Sequence, residues 1–232
     1  YYTFGFPVDI IADHVKNMEI DLDMDGFHRA MEEQKTRSRS TRKFTGVGQA
    51  YKTLTSQGVR TGFIGYDRIE STSPVLMLVK DEKEIQTAHA GDAIEIVTES
   101  TVFYAESGGQ SGDCGVMENT DCRIHISDTL KDPSGIVIHK GEVKSGQVGK
   151  GDVLTLKVDA DRRRRTALNH TATHLLHAAL RKVLGDHVKQ SGSLVTDSRL
   201  RFDFTHFKPL SESELAELEA RINQVVFEKD RK

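Results

Sequence analysis

Residues 166–185 read TALNHTATHLLHAALRKVLG, and this stretch decides the fold of the last third of the chain. Leu168, Ala172, Leu175, Leu176, Ala179 and Val183 recur at helical spacing ahead of Gly185, so the pattern predicts a helix from about Thr166 to Leu184. On the same helix His170, His174 and His177 stand at i, i+4 and i+7. At about 100° per residue they fall within roughly 60° of one another and nearly opposite the apolar stripe. Two imidazoles one turn apart can reach a single ion at about 2 Å, which makes H-x-x-x-H a sound half-site for zinc. Surface or capping histidines would give the same spacing. No Glu follows His170, so the metalloprotease pattern H-E-x-x-H is absent.

Downstream, Leu200 to Phe204 alternates polarity as a strand does, and Ser211 to Glu214 forms a capping box. Leu215, Leu218, Ile222, Val225 and Val226 then follow at helical spacing, and the pattern stops at Lys232 without Gly, Asn or Pro. The chain also opens at Tyr1 on an apolar run, YYTFGFPVDII. Both ends are those expected of an internal piece of a longer protein.

Upstream, between Gly46 and Val158, short runs rich in Val, Ile and Thr alternate with Gly and Asp turns: Val75–Val79, Ile94–Val97, Cys122–Ser127, Gly135–His139 and Val153–Val158. Their spacing predicts a small antiparallel barrel or meander without helices. Two helices are expected before it, over Pro7–Met18 and Met24–Arg39, the second capped by Asp23 or Asp25. The run KTRSRSTRK (Lys35 to Lys43) reads as a solvated face or linker, with phosphate contact as the alternative. The same choice applies to Arg162 to Arg165. The expected fold class is therefore α+β: a helical segment over 1–45, a barrel over 46–160 and an α+β region over 161–232.

With 232 residues and a formal charge of −3, the chain is long enough for a real core and carries no global basic field. Nothing resembles a signal peptide or a span of roughly 20 apolar residues, and two cysteines cannot form a disulfide scaffold. The expected compartment is the reducing cytoplasm. Cys114 and Cys122 form no recognised ligand pair, and His187 and His206 look isolated. In FYAESGGQSGDCG (Phe103 to Gly115), Gly108 and Gly109 permit positive φ and a close approach by another group. HVKQSGSLV (His187 to Val195) reads as a polar loop where Gln190 and Ser191 can present hydrogen-bonding groups.

Together these segments are far more specific than any one alone. FYAESGGQSGDCG, followed some 55 residues later by ALNHTATHLLHAALRKVLGDHVKQSGSLVTDSRLRFDFTH, closely resembles the editing region of alanyl-tRNA synthetases and their freestanding relatives. YYTFGFPVDII and AMEEQKTRSR (Ala30 to Arg39) resemble the end of the helical tRNA-recognition region before it, which favours the full synthetase over the freestanding deacylases. The resemblance implies an incomplete editing core of the kind shared with threonyl-tRNA synthetases. It implies zinc on His170 and His174, completed by a C-x-x-x-H pair that this chain lacks and that is expected beyond Lys232. Gln190 falls at the editing-pocket glutamine and Thr173 at a pocket-lining position, the two residues expected to be catalytic; Gly108, Gly109, Gln110 and Ser191 are expected to meet the substrate. The implied partner is the acceptor end of tRNA(Ala), and the implied reaction is hydrolysis of mischarged Ser-tRNA(Ala) and Gly-tRNA(Ala). The class II motifs for ATP and Mg2+ are absent from the chain, so alanine activation belongs to the parent enzyme. Rival readings are a freestanding deacylase and a non-catalytic tRNA-binding module.

Overall fold

A computed structural model describes residues 23–27, 29–30 and 49–229. The chain divides into two compact units, residues 1–46 and 47–232. In the first, residues 24–27 and 29–30 are helical, and Asp23 caps the turn by accepting from the Gly26 N–H at 2.7 Å. The helix expected over Pro7–Met18 and the basic run Lys35–Lys43 lie outside the described residues.

The second unit starts with a 3-10 turn, Gln49–Tyr51, running into a short helix α1 (Lys52–Ser56). The sequence reading expected no helix here. Tyr51 and Leu54, three positions apart, are both buried, and that single apolar pair suffices for one turn.

Ten strands follow: β1 (Gly62–Phe63), β2 (Glu70–Lys80), β3 (Lys83–Ile85), β4 (Thr87–His89), β5 (Ala93–Thr98), β6 (Ser100–Thr101), β7 (Gly115–Glu118), β8 (Cys122–Lys131), β9 (Val137–Gly149) and β10 (Val153–Val158). Six of them, in the order β10-β7-β8-β9-β5-β2, are antiparallel neighbours, and pairing of β2 with β10 closes the sheet into a barrel. Closure removes the unpaired edges that an open sheet would expose. Along β8 the alternation sends Cys122, Ile124 and Ile126 inward and Arg123, His125 and Ser127 outward. They meet Leu78, Ile94, Ile96, Phe103, Met117, Leu154 and Leu156 in one core.

Helix α2 (Ala160–Leu184) leaves the barrel directly after β10. It begins six residues before the expected start, because Asp159 is the N-cap, its carboxylate accepting from the Arg162 N–H at 2.9 Å. The ribbon β11 (Gln190–Val195) and β12 (Leu200–Phe204) and helix α3 (Glu212–Lys229) complete the unit. Residues 190–195 of the segment read as a polar loop are thus a strand, interrupted by a bulge between Gln190 and Gly192. Ala179 and Leu180 of α2, Val188 and Leu218 of α3 form a second core, with Phe202 and Phe204 packed on it.

The two helices depart from their expected faces. Leu168 is 60% exposed, and on α3 Leu215, Val225 and Val226 stay outside while Leu218 is buried. Of the apolar residues of α3, Leu218 and Ile222 enter the second core, whereas Leu215, Val225 and Val226 do not. No helix among the described residues is long and apolar enough to cross a membrane.

Candidate active site

The glycine segment is a tight hairpin. Ser107 and Gln110 exchange both backbone hydrogen bonds, at 3.2 and 3.0 Å, and between them Gly108 and Gly109 have φ +61 and +84. Positive φ at both central residues is the type I′ arrangement, which glycine adopts without strain. The turn docks on β11: the Val195 N–H donates to the Gly109 carbonyl at 2.8 Å and the Ser111 N–H to the Val195 carbonyl at 2.9 Å. The approach is so close that a Cβ on Gly109 would lie 2.4 Å from the Ser193 carbonyl oxygen.

This docking carries Gln110 to the helix. His170 Nδ1 lies 2.6 Å from Gln110 Oε1, so the imidazole donates there, and His170 Nε2 lies 3.1 Å from His174 Nε2. The two rings are stacked with centroids 5.0 Å apart. Two nitrogens bound tetrahedrally at about 2.0–2.1 Å would stand about 3.3–3.4 Å apart. The pair therefore fits two positions of a zinc site in both chemistry and spacing. Among the described residues, no cluster of three His, Cys, Asp or Glu is placed to hold a metal.

The expected third member of the histidine face is elsewhere. His177 packs against Phe202, centroids 5.1 Å apart, with its Nε2 buried and unpartnered. Thr173 is buried and its hydroxyl donates to the Asn169 carbonyl at 2.9 Å, so toward a ligand it can only accept. Gln190 is exposed at the start of β11; its amide donates to Ser193 Oγ at 3.1 Å, and Ser193 Oγ to the Gly108 carbonyl at 3.4 Å. That chain ties Gln190 to the same glycine turn. Ser191 is exposed in a bulge, since the register steps from Gln190 opposite Phe204 to Gly192 opposite Asp203. Bulges of this kind re-aim side chains beside sites.

The basic run at the start of α2 is mainly structural. Arg163 forms a two-pronged pair with Asp113, and its guanidinium also bonds the Val102 carbonyl and, at 3.1 Å, the Gly65 carbonyl. Arg162 bonds Cys114 Sγ at 2.6 Å and pairs with Asp197 at 3.6 Å; Arg165 also reaches Asp197. Both cysteines are free and buried, and burial raises both thiols above their ordinary pKa. His187 and His206, isolated in sequence, are partners: Nε2 and Nδ1 are 2.8 Å apart and the rings stack. The ribbon register that sets Gln190 opposite Phe204 brings them together, a signal hidden until the hairpin itself is recognised.

Residues 1–162 match the family described as tRNA synthetases class II (A). The chain belongs to that family. Among curated relatives of this synthetase chain, the alanine–tRNA ligase of Desulfosudis oleivorans is 53% identical over 228 residues, 98% of this chain and 26% of the ligase. The alanine–tRNA ligases of Stenotrophomonas maltophilia and Thermoanaerobacter sp. are 47% and 42% identical over 97% and 98% of this chain, again 26% of each ligase. The synthetase chain thus spans about a quarter of the length of these relatives.

Proposed function

We propose that this chain is most of the editing region of an alanine–tRNA ligase that attaches alanine to tRNA(Ala) with ATP and Mg2+ in the cytoplasm, and that in the parent enzyme, with the zinc ligands expected beyond Lys232, this region removes wrongly attached serine or glycine. The observation that carries the reading is the meeting of three separate segments: the glycine turn, the His170–His174 pair and Gln190 on β11. The family match over residues 1–162 reaches well upstream of the barrel, which favours a synthetase over a freestanding deacylase.

The chemistry needs a second site. A pocket that accepts alanine cannot exclude glycine by size, and serine adds one hydroxyl, so binding alone discriminates too weakly and a hydrolytic sieve supplies the rest. In the hydrolysis, water oxygen bonds to the ester carbonyl carbon, the bond from that carbon to the ribose oxygen breaks, and a proton from water ends on the ribose hydroxyl. No Ser-His-Asp or Cys-His nucleophile arrangement is present among the described residues, so direct attack by water is the simplest course. His170 and His174 would hold zinc, which when bound supplies a positive charge to polarise a water or carbonyl or to bind the substrate amine.

One Gln190 amide N–H is spent on Ser193, which leaves the other N–H and the carbonyl oxygen to orient a water; Thr173 Oγ1, whose own proton goes to Asn169, can accept a hydrogen bond from the serine hydroxyl. Ser191 in its bulge and the backbone of Gly108 and Gly109 line the approach of the acceptor end.

The test is deacylation of Ser-tRNA(Ala) by the full-length protein and by its Gln190→His and His170→Ala variants. The expected result is hydrolysis by the wild type and a loss of at least tenfold in both variants, with alanine charging unchanged. A wild type that leaves Ser-tRNA(Ala) intact would leave tRNA binding without catalysis as the better reading.

A further inference from the structure

We infer that Gln110 is the positioning residue of the His170–His174 pair, so that the barrel's glycine turn sets how tightly that pair holds a divalent cation. This deepens the proposed function and rests on its reading of the pair as metal-binding.

A neutral imidazole has one donor and one acceptor nitrogen, and the partner of one nitrogen decides the role of the other. Gln110 Oε1, 2.6 Å from His170 Nδ1, can only accept, so it fixes the proton on Nδ1 and leaves the Nε2 lone pair free. That lone pair faces His174 Nε2 at 3.1 Å, where His174 supplies the proton of the contact. His170 is therefore preset as a ligand, whereas His174 must move its proton from Nε2 to Nδ1 before offering its own lone pair.

Gln110 in turn is held by backbone. It exchanges two bonds with Ser107, and the bonds on either side of it, Val195 N–H to Gly109 and Ser111 N–H to Val195, clamp it to β11. The side chain reaches His170 across 60 positions of sequence because this turn cannot shift without breaking that clamp. Gly109 is the residue that permits the approach, since any Cβ there meets the Ser193 backbone. Outer partners of metal-binding histidines commonly change affinity by about 10–100-fold when removed.

The experiment is chelator competition for Zn2+ with the full-length protein and its Gln110→Leu, Gln110→Glu and Gly109→Ala variants, with far-UV circular dichroism to check folding. Gln110→Leu should bind Zn2+ about 10–100-fold more weakly. Gln110→Glu, which keeps the acceptor, should stay within about threefold of the wild type. Gly109→Ala should match Gln110→Leu, and the double variant should be no weaker than either, because both act through one contact. Wild-type affinity in Gln110→Leu, or a Gln110→Glu variant as weak as Gln110→Leu, would overturn the inference. So would a wild type that binds no Zn2+. Failure of Ser-tRNA(Ala) hydrolysis with these affinities intact would instead count against the editing reaction alone.

Discussion

Replacing Arg163 by Met should be among the most damaging single changes outside the histidine pair. The Arg163 side chain is 21% exposed and that of its partner Asp113 only 7%, so the pair is largely withdrawn from water. Asp113 would keep the Tyr104 N–H, at 2.6 Å, but lose both prongs of its cation. Breaking a buried pair from one side costs about 3–5 kcal/mol, because the other charge stays buried. The Val102 and Gly65 carbonyls also lose a charged donor, which adds to the cost unless water replaces it. Since Arg163 already touches solvent, water can enter, and the lower end applies: about 3 kcal/mol. Arg163, together with the Arg162 bond to Cys114, ties the first turn of α2 to the barrel, so its loss should loosen the start of the helix that carries the histidine pair. Urea denaturation of the wild type, Arg163→Met, Asp113→Asn and the double variant would measure the pair. The double variant should recover part of the loss, since a neutral amide no longer needs a cation. An Arg163→Met midpoint within about 0.5 kcal/mol of the wild type would refute the reasoning.

His139 is buried in the barrel wall between the Ile96 carbonyl, 3.0 Å from Nδ1, and Thr101 Oγ1, 2.8 Å from Nε2, and burial depresses its pKa to about 4. The unfolded chain therefore takes up this proton first as pH falls, so stability present above about 6.5 should decline by up to about 1.4 kcal/mol per pH unit down to about 4. A denaturation series against pH should show that slope, and His139→Asn should flatten it. Glu214 is drawn down to about 2, first by the Ser211 N–H that it accepts at 2.7 Å and then by the Ser211 hydroxyl. The capping contribution should therefore persist at neutral pH and fade only as pH drops from about 4.3 toward 2, which an NMR titration of the Glu214 carboxyl would check. Ser211→Ala should destabilise α3 by about 1 kcal/mol in the same denaturation assay, through loss of the cap to the Glu214 N–H.

The parts of this molecule legible from sequence are those written in local periodicity. The alternation of Cys122 to Ser127 and of Val153 to Val158 announced barrel strands, and the spacing of His170 and His174 announced a pair able to share an ion. The start of α2 is not legible in local periodicity because Arg162 to Arg165 offer no apolar spacing, and what Arg163, Arg162 and Arg165 hold depends on Asp113 and Asp197, far away in sequence. HVKQSGSLV looked like a loop because a Gly and a bulge interrupt the alternation by which a strand is known.

The histidine face shows where periodicity reaches its limit. Spacing alone places His177 with His170 and His174, yet His177 belongs to the packing against Phe202, while the group completing the His170 environment comes from the barrel. A helical repeat lists what shares a face; it carries no information about what approaches that face. Here the approach is decided by two glycines in positive φ, which let the hairpin lie against β11 closely enough for Gln110 to reach across. The glycine turn and the histidine pair, readable separately in the sequence, therefore acquire a joint meaning only through long-range packing, and a change at either should be felt at the other.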